Sequence, residues 1–561
     1  MSKFNQSTKT NVDRVVSEHP DVTVNKEGGV AFRPSAKMEL MMRSVTSMMS
    51  DGFYETESES REAKKRLIAE IMPHNPKLIL QLAIFDREVL NLRSETTFLL
   101  GEFSLNPYKV NVENSRSYMA RAIKRPDDMT ELAAYVMQEN RKRHVYKGRM
   151  PLVVKNALAD AFTKFDAYQL AKYSKKAEVT IRDILRMVHP KPKDDKQEDT
   201  FKKLFDGTLE PAYTWEVLTS TRGNNAEVWH ELIWSKRLGY MGALRNLRNM
   251  LKVGVSSSDI DEVVRILTDP KGVANSKQFP FRFYSANREI SKARLWSPDP
   301  VDDTFGKMEH RSTEADRTKL MDALDTALEL STSNIPNLGG TTFISCDNSG
   351  SMSMNTVSTG PTRRKRTREE EIDKPKITCQ DVSCLFGAMV HKKCDSVIMS
   401  AFGQSFSTIP LSKKSGIFDN MAKIRDKDVG HSTHAHLAID YLIKNKIKVD
   451  RIIIFSDEQC YSEKTVKSRS VPSYVSRMFT TYDEDKDDSL YKSFLTYKRT
   501  INPKVFMYVI DLKNYGTIQI PESEPNVCTM GGYSDKVLSF IPAFEQSHEG
   551  MLNAIEKISI N

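Results

Sequence analysis

At 561 residues the chain is longer than one hydrophobic core usually supports, so two or more domains are expected. Hydrophobic residues make up 39% and charged residues 28%, the balance of a globular protein with a well-solvated surface. The formal net charge is +9; no apolar run is long enough to span a bilayer, and Met1 to Pro20 lacks the apolar core of an export signal.

Residues 1–30 are polar and read as a flexible N-terminal lead-in. From 31 to 336 the pattern is almost wholly helical. Apolar residues recur three and four positions apart, as in Lys65-Arg-Leu-Ile-Ala-Glu-Ile-Met and Pro76-Lys-Leu-Ile-Leu-Gln-Leu-Ala-Ile. Breaks carrying Pro, Gly, Asn or Asp separate the helices. No strict period emerges, but the number and length of helices suit stacked pairs of the HEAT type. Within this region, Glu139 to Lys193 holds 14 Lys and Arg against 5 Asp and Glu. That local excess equals the net charge of the whole chain, so the remainder balances to zero. A basic zone on an otherwise neutral chain is the footprint of a phosphate backbone, and equally of a solvated helix face. Arg141, Lys142 and Arg143 are phosphate candidates inside it. So are Arg245 and Arg248 on a later helix, where Leu244, Leu247 and Leu251 make the core face. Trp215, Trp234 and Tyr240 are expected in the core rather than on RNA.

Near Leu338-Gly-Gly the pattern changes to alternating strands and helices. Thr341 to Cys346, Ser396 to Phe402, Arg451 to Ser456 and Val505 to Ile510 read as strands, with Ser407 to Leu411 as an edge strand. Helices are expected over Gln380–Lys393, His436–Lys446, Ser489–Thr500 and much of Asp535–Ile558. Such alternation predicts a doubly wound α/β domain over 337–561, with a parallel sheet covered on both faces. An insertion at 358–376 carries Arg363-Arg-Lys-Arg-Thr-Arg followed by Glu369-Glu-Glu. A mobile, self-compensating loop is the expectation there, with a nucleic-acid contact as the alternative. The cysteines, Cys346, Cys379, Cys384, Cys394, Cys460 and Cys528, all fall in this half. They lack the paired spacing of a zinc knuckle and are expected as buried thiols in a reducing compartment, which points to the cytoplasm.

Ligands of doubly wound folds bind beyond the C-terminal ends of the strands. Asp347, Ser349 and Ser351 form a DxSxS turn directly after the first strand. Thr433 stands before the helix at His436, and Asp457 follows a strongly apolar strand. Two carboxylates and three hydroxyls are hard oxygen donors with little net charge, which suits a divalent ion, Mg2+ above others. A serine-rich helix cap is the bland alternative for DxSxS alone. Three histidines, His431, His434 and His436, surround Thr433, but lack the further ligand of a zinc site.

The ordered set of DxSxS, loop Thr and strand-end Asp resembles the metal-ion-dependent adhesion site of von Willebrand A domains. That resemblance implies direct ligation by Ser349 and Ser351. Thr433, Asp347 and Asp457 would bind directly or through water, with one position open for an acidic partner. The segments Lys155 to Phe162, Phe165 to Tyr173 and Ile181 to Pro192, with Thr214-Trp-Glu and Gly239 to Met250, resemble the TROVE domain of Ro proteins. The combination implies a ring of HEAT-like helices followed by a von Willebrand A-like domain. It also implies binding of small noncoding Y RNA on the outer surface and of single-stranded ends of misfolded RNA in the central hole. By the same resemblance Lys172, Lys176 and His189 contact the Y RNA. Lys172 and Lys176 share one face if their segment is helical. A protein with no catalytic activity, monomeric, acting in RNA quality control or alongside an exoribonuclease such as polynucleotide phosphorylase, is the leading expectation. A metal-dependent protein scaffold with incidental RNA binding is the alternative. A metal-dependent RNA hydrolase ranks third, because no motif places a general base.

Overall fold

The computed structural model describes residues 16, 18–47, 54–146, 149–174, 177–293, 312–357, 377–460 and 489–559. The insertion at 358–376 therefore lies outside the described residues. Contacts divide the chain into two units. One is built around a sheet and takes residues 1–64 with most of 332–552; the other takes mainly 65–331.

The sheet unit contains β1 (Val22–Val24) and β2 (Val30–Phe32), an antiparallel hairpin. Its main sheet comprises β3 (Leu338–Asp347), β6 (Cys394–Phe402), β7 (Phe406–Thr408), β8 (Arg451–Ser456), β9 (Phe506–Asp511) and β10 (Val527–Gly531). A minor ladder pairs β4 (Thr356–Val357) with β5 (Ile377–Thr378). The six strands run in the order β10-β9-β8-β3-β6-β7. All neighbours are parallel except β6 and β7. The chain lays β6 on one side of β3 and returns to lay β8 on the other. The switch in strand order therefore falls between β3 and β8, where open α/β sheets form their binding crevice. All six residues of β8 are buried, which is why it reads as an unbroken apolar run. The helix Cys379–Lys393 lies close on the sheet: a Cβ at Gly387 would meet Cys346 Sγ at 2.7 Å and Met399 Cε at 2.8 Å.

By their contacts residues 31–64 group with this sheet unit. Phe32 exchanges backbone hydrogen bonds with Ile518, its N–H donating at 2.8 Å and its carbonyl accepting at 3.0 Å. The helix Ala36–Val45 is capped by Ser35 and packs on β10, where a Cβ on Gly531 would strike Met42 Cε at 2.8 Å. The hairpin also gives structure to part of the lead-in expected to be flexible. Its partners lie hundreds of residues away, so no local pattern announces them. β10 was likewise missed: Val527-Cys-Thr-Met-Gly is short and mixed in character.

The second unit is helical. Helices over Pro76–Glu88, Arg93–Leu105 and Ser115–Ala122 precede the basic segment, Pro126–Arg143 runs into it and Leu152–Phe162 lies within it. Tyr240–Val253, Ser257–Thr268, Pro280–Ser291 and Glu314–Ser331 close the unit. Proline begins several of them, at Pro76, Pro126, Pro270 and Pro280, where its fixed φ is ready for the helix and no N–H is lost. Pro76–Glu88 packs on Arg93–Leu105, its neighbour in the chain, and Ser257–Thr268 packs on Glu314–Ser331, with Pro270–Ser276 and Pro280–Ser291 between them in the chain. Phe98, Leu99, Phe103, Leu132 and Val136 are buried between the early helices. Among the described residues no helix is long and apolar enough to cross a membrane.

Candidate functional site

Two sites follow from this architecture, one in each unit. In the sheet unit, β3 ends at Asp347 and β8 ends one residue before Asp457, so both carboxylates arrive at the switch crevice. Both are fully buried; Ser349 is 1% exposed, Ser351 7% and Thr433 5%. Asp347 accepts from the Ser349 N–H at 2.9 Å and from the Ser456 hydroxyl at 2.6 Å. The Ser349 and Ser351 hydroxyls stand 3.3 Å apart. Asp457 accepts from Asn355 Nδ2 at 3.2 Å and from the Gln459 N–H at 3.3 Å. The loop carrying Thr433 is tied to the DxSxS turn by Gly350 N–H donating to the His431 carbonyl at 2.9 Å.

Burial pushes both carboxyls above the usual carboxylate range, and for Asp457 the neighbouring Asp347 charge pushes further. Two desolvated carboxylates beside three hydroxyl-bearing side chains make a donor set that a hard dication fits. It would offset the burial that raises both and the Asp347 charge that raises Asp457 further. Glu458, the acid next to Asp457 in the chain, is engaged elsewhere: its Oε2 accepts from the Gln519 N–H at 3.1 Å. Burial pushes its carboxyl well above the usual range. His434 and His436 meet edge to face with centroids 5.6 Å apart. Among the described residues no three His, Cys, Asp or Glu converge as a metal cluster. Asn355, Ser456 and Tyr515, whose hydroxyl donates to Asn355 at 2.9 Å, are site residues that sequence reasoning missed. Ser456 was visible as the residue between an apolar strand and Asp457; the other two carried no signal. All six cysteines are buried and reduced, as expected.

In the helical unit, the helix Ala167–Tyr173 is opened by a capping box: Asp166 accepts from the Gln169 N–H at 2.7 Å and Gln169 answers. Leu170 is buried, which turns Lys172 to solvent, with its ammonium 5.8 Å from the Tyr173 ring. This helix ends at Tyr173, and Lys176 lies outside the described residues. The helix Ile181–Val188 is opened by a Thr180–Asp183 capping box and pinned by buried Ile181, Ile184 and Leu185. His189 ends it in a left-handed conformation, φ 45°, just before Pro190, and its side chain is exposed.

The other basic candidates separate by their partners. Arg141 is exposed. Lys142 bonds Glu139 at 3.1 Å yet keeps 61% of its side chain exposed. Arg143 is committed to the fold, pairing with Glu102 at 2.5 Å and Glu139 at 2.7 Å. Arg245 is exposed, while Arg248 reaches Glu289 at 3.2 Å. Leu244, Leu247 and Leu251 are buried, as the heptad-like spacing predicts. Trp215 stacks on Trp229 and Tyr240 is half-buried, but Trp234 is 49% exposed, against the expectation of core. Its indole is held by Asp259 at 2.8 Å, which spends its one polar atom and leaves the ring at the surface. Arg121, Lys124 and Lys164 were not anticipated as a group. They line a cleft of about 530 Å³ with Gln169 from the Lys172 helix.

Fold and sites together define a two-unit protein: a helical unit bearing a basic surface, and a doubly wound sheet with a carboxylate-and-hydroxyl crevice. A family model described as the TROVE domain matches residues 7–212 and 207–296, slightly more than half of the chain. The chain belongs to the TROVE-domain family. Telomerase protein component 1 of Rattus norvegicus is 25% identical over 358 residues, which are 48% of this chain and 13% of that protein. RNA-binding protein RO60 of Deinococcus radiodurans is 19% identical over 370 residues, 58% of this chain and 63% of the relative. The chain thus spans a small part of the first and under two thirds of the second. The crystal structure of the Deinococcus radiodurans RO (RSR) protein superposes with a TM-score of 0.54 at 15% identity. It covers 86% of this chain and 93% of that one, so the likeness extends to the fold of both units.

Proposed function

We propose that this chain is a noncatalytic RNA-binding protein that takes a small structured noncoding RNA of the Y type on its helical unit. The observation that carries the reading is the TROVE match over the segment holding the basic surface, with Lys172 and His189 exposed on it. Lys172, Lys176, Arg141, Lys142 and Arg245 supply phosphate contacts, which position RNA without reading its sequence. His189 stacks on a base or donates to phosphate. Arg143 contributes to folding, not to RNA. A wider cleft of about 910 Å³ carries Lys109, Tyr146 and Arg149 beside exposed Val110 and Leu152. Cation and aromatic side by side suit the unstacked bases of a single-stranded RNA end. Delivery of such RNA to an exoribonuclease follows as the role, in the cytoplasm.

Asp347, Ser349, Ser351, Thr433 and Asp457 of the sheet unit would hold a divalent cation, Mg2+. When bound, the ion supplies a Lewis-acidic position for an acidic group. Asp347 is oriented by Ser456, and Asp457 by Asn355 and Gln459. Glu458 is bound to Gln519 through its Oε2 and its carbonyl, which turns it from the role of general base and favours recognition over hydrolysis. A scaffold that uses only this site is the second reading, favoured by the burial of the donor set. Filter binding of a labelled structured small RNA tests the first. Tight, salt-sensitive binding that weakens in Lys172→Ala and His189→Ala supports it; equal, weak binding by all three proteins favours the scaffold.

A further inference from the structure

The turn of the β1–β2 hairpin sits against the loop that follows Asp457. Asn25 is buried; its Nδ2 donates to the Cys460 carbonyl at 2.6 Å, and its Oδ1 accepts from the N–H groups of Glu27 and Gly29, each at 3.0 Å. The Lys26 N–H donates to Gln459 Oε1 at 2.9 Å. Gln459 is fully buried and its own N–H bonds Asp457. Three consecutive hairpin residues are therefore fixed relative to a candidate metal ligand, and the third is an acid.

Glu27 is met by Tyr54, whose hydroxyl donates to its Oε1. That hydroxyl also lies within hydrogen-bonding reach of Ser351. The Tyr54 ring stands edge-on to Tyr515 with centroids 5.2 Å apart, and Tyr515 continues through Asn355 to Asp457. One hydroxyl thus links the Glu27 carboxylate to the DxSxS turn. Glu27 is exposed, and Tyr54 sets its carboxylate one hydroxyl away from Ser351, where a dication in the crevice would attract it.

We infer that Glu27 is an internal ligand of the metal crevice: its carboxylate, steered by Tyr54, takes the position that an external acidic group would otherwise fill. The inference rests on the metal reading proposed above. Mg2+ accepts one or two carboxylates and keeps several waters, so Glu27 joins directly or through one of those waters. An external carboxylate gains the site only by displacing Glu27. Affinity for an acidic partner is then set by how firmly Asn25 and Lys26 hold the hairpin down.

The test uses the full chain and Mn2+ as probe, followed by water-proton relaxation, with acetate as competing carboxylate. Four proteins are compared: wild type, Glu27→Gln, Tyr54→Phe and Asp457→Asn, each checked for unchanged circular dichroism. Glu27→Gln is expected to hold Mn2+ about tenfold more weakly. Its bound ion gains relaxivity from added water, and acetate binds it more tightly than it binds wild type. Tyr54→Phe falls between the two. The same relaxivity and acetate affinity in Glu27→Gln and wild type would overturn the inference while leaving the metal site standing. Wild type that binds no Mn2+, or Asp457→Asn that binds it as well as wild type, would sink both, and the Asp457→Asn arm identifies that failure.

Discussion

The Ser456 hydroxyl donates to the Asp347 carboxylate at 2.6 Å, joining the ends of two parallel strands 109 residues apart in sequence. This bond crosses the switch between β3 and β8 and fixes one oxygen of Asp347. Ser456→Ala leaves that oxygen buried and unsatisfied, which costs about 1–3 kcal/mol of stability. Mn2+ affinity should fall about tenfold, as removal of an orienting partner does at metal sites. Thermal unfolding with and without Mn2+ measures both effects.

Metal and pH should be linked in a fixed direction. Asp347 and Asp457 have folded values raised above the unfolded ones, so their contribution to stability without metal is full below about pH 4, the unfolded range. It is lost as pH rises through the raised folded range. A dication binds the deprotonated forms, so it recovers more stability the higher the pH. The shift in Tm caused by Mg2+ is expected to grow from pH 5 to pH 8 in wild type and to vanish in Asp457→Asn.

The helical unit has the opposite pH sense at Asp128. Burial pushes this carboxyl up, but Arg93 and Arg87 outweigh it and hold the value below the usual range. Arg93 Nη2 lies 2.8 Å away, Arg87 Nη2 3.0 Å, and the backbone N–H groups of Lys124 and Arg125 also donate to it. The contribution is present above about pH 4 and lost as pH falls through the lowered folded value. Asp128→Asn should cost roughly 3–5 kcal/mol in denaturant unfolding at pH 7, since it removes the one carboxylate paired with buried Arg87, while Arg93 keeps Asp127. The penalty shrinks toward pH 3.

Salt dependence separates the basic residues. Lys172→Ala should lower RNA affinity and reduce the log–log salt slope by about one phosphate contact. Arg143→Ala should leave the slope unchanged and lower thermal stability instead, because Glu102 and Glu139 already hold the guanidinium. Fluorescence anisotropy at several salt concentrations, paired with a melting curve, resolves the two outcomes.

What the sequence disclosed and what it hid follow from the range of the interactions. β3, β6 and β8 were legible because a strand buried on both faces is a continuous apolar run. Asp347, Ser349 and Ser351 were legible because they lie within five residues of one strand end. The hairpin of β1 and β2 was not, since Phe32 finds its bridge partner at Ile518 and Asn25 finds Cys460. Tyr54 and Glu27 had no local signal for the same reason. Arg143 and Arg141 look alike in a basic run, and the placement of Glu102 and Glu139 distinguishes them. Trp234 was misjudged because hydrophobic size predicts burial on average, and Asp259 is what holds this indole at the surface.

The most direct test of the account is crosslinking and sequencing of RNA that copurifies with the native protein, beside a folded Lys172→Ala/Lys176→Ala/His189→Ala variant. The account predicts a discrete structured small RNA on wild type that the variant loses. RNA no higher than background on both proteins would contradict it and leave the metal-dependent scaffold as the leading description.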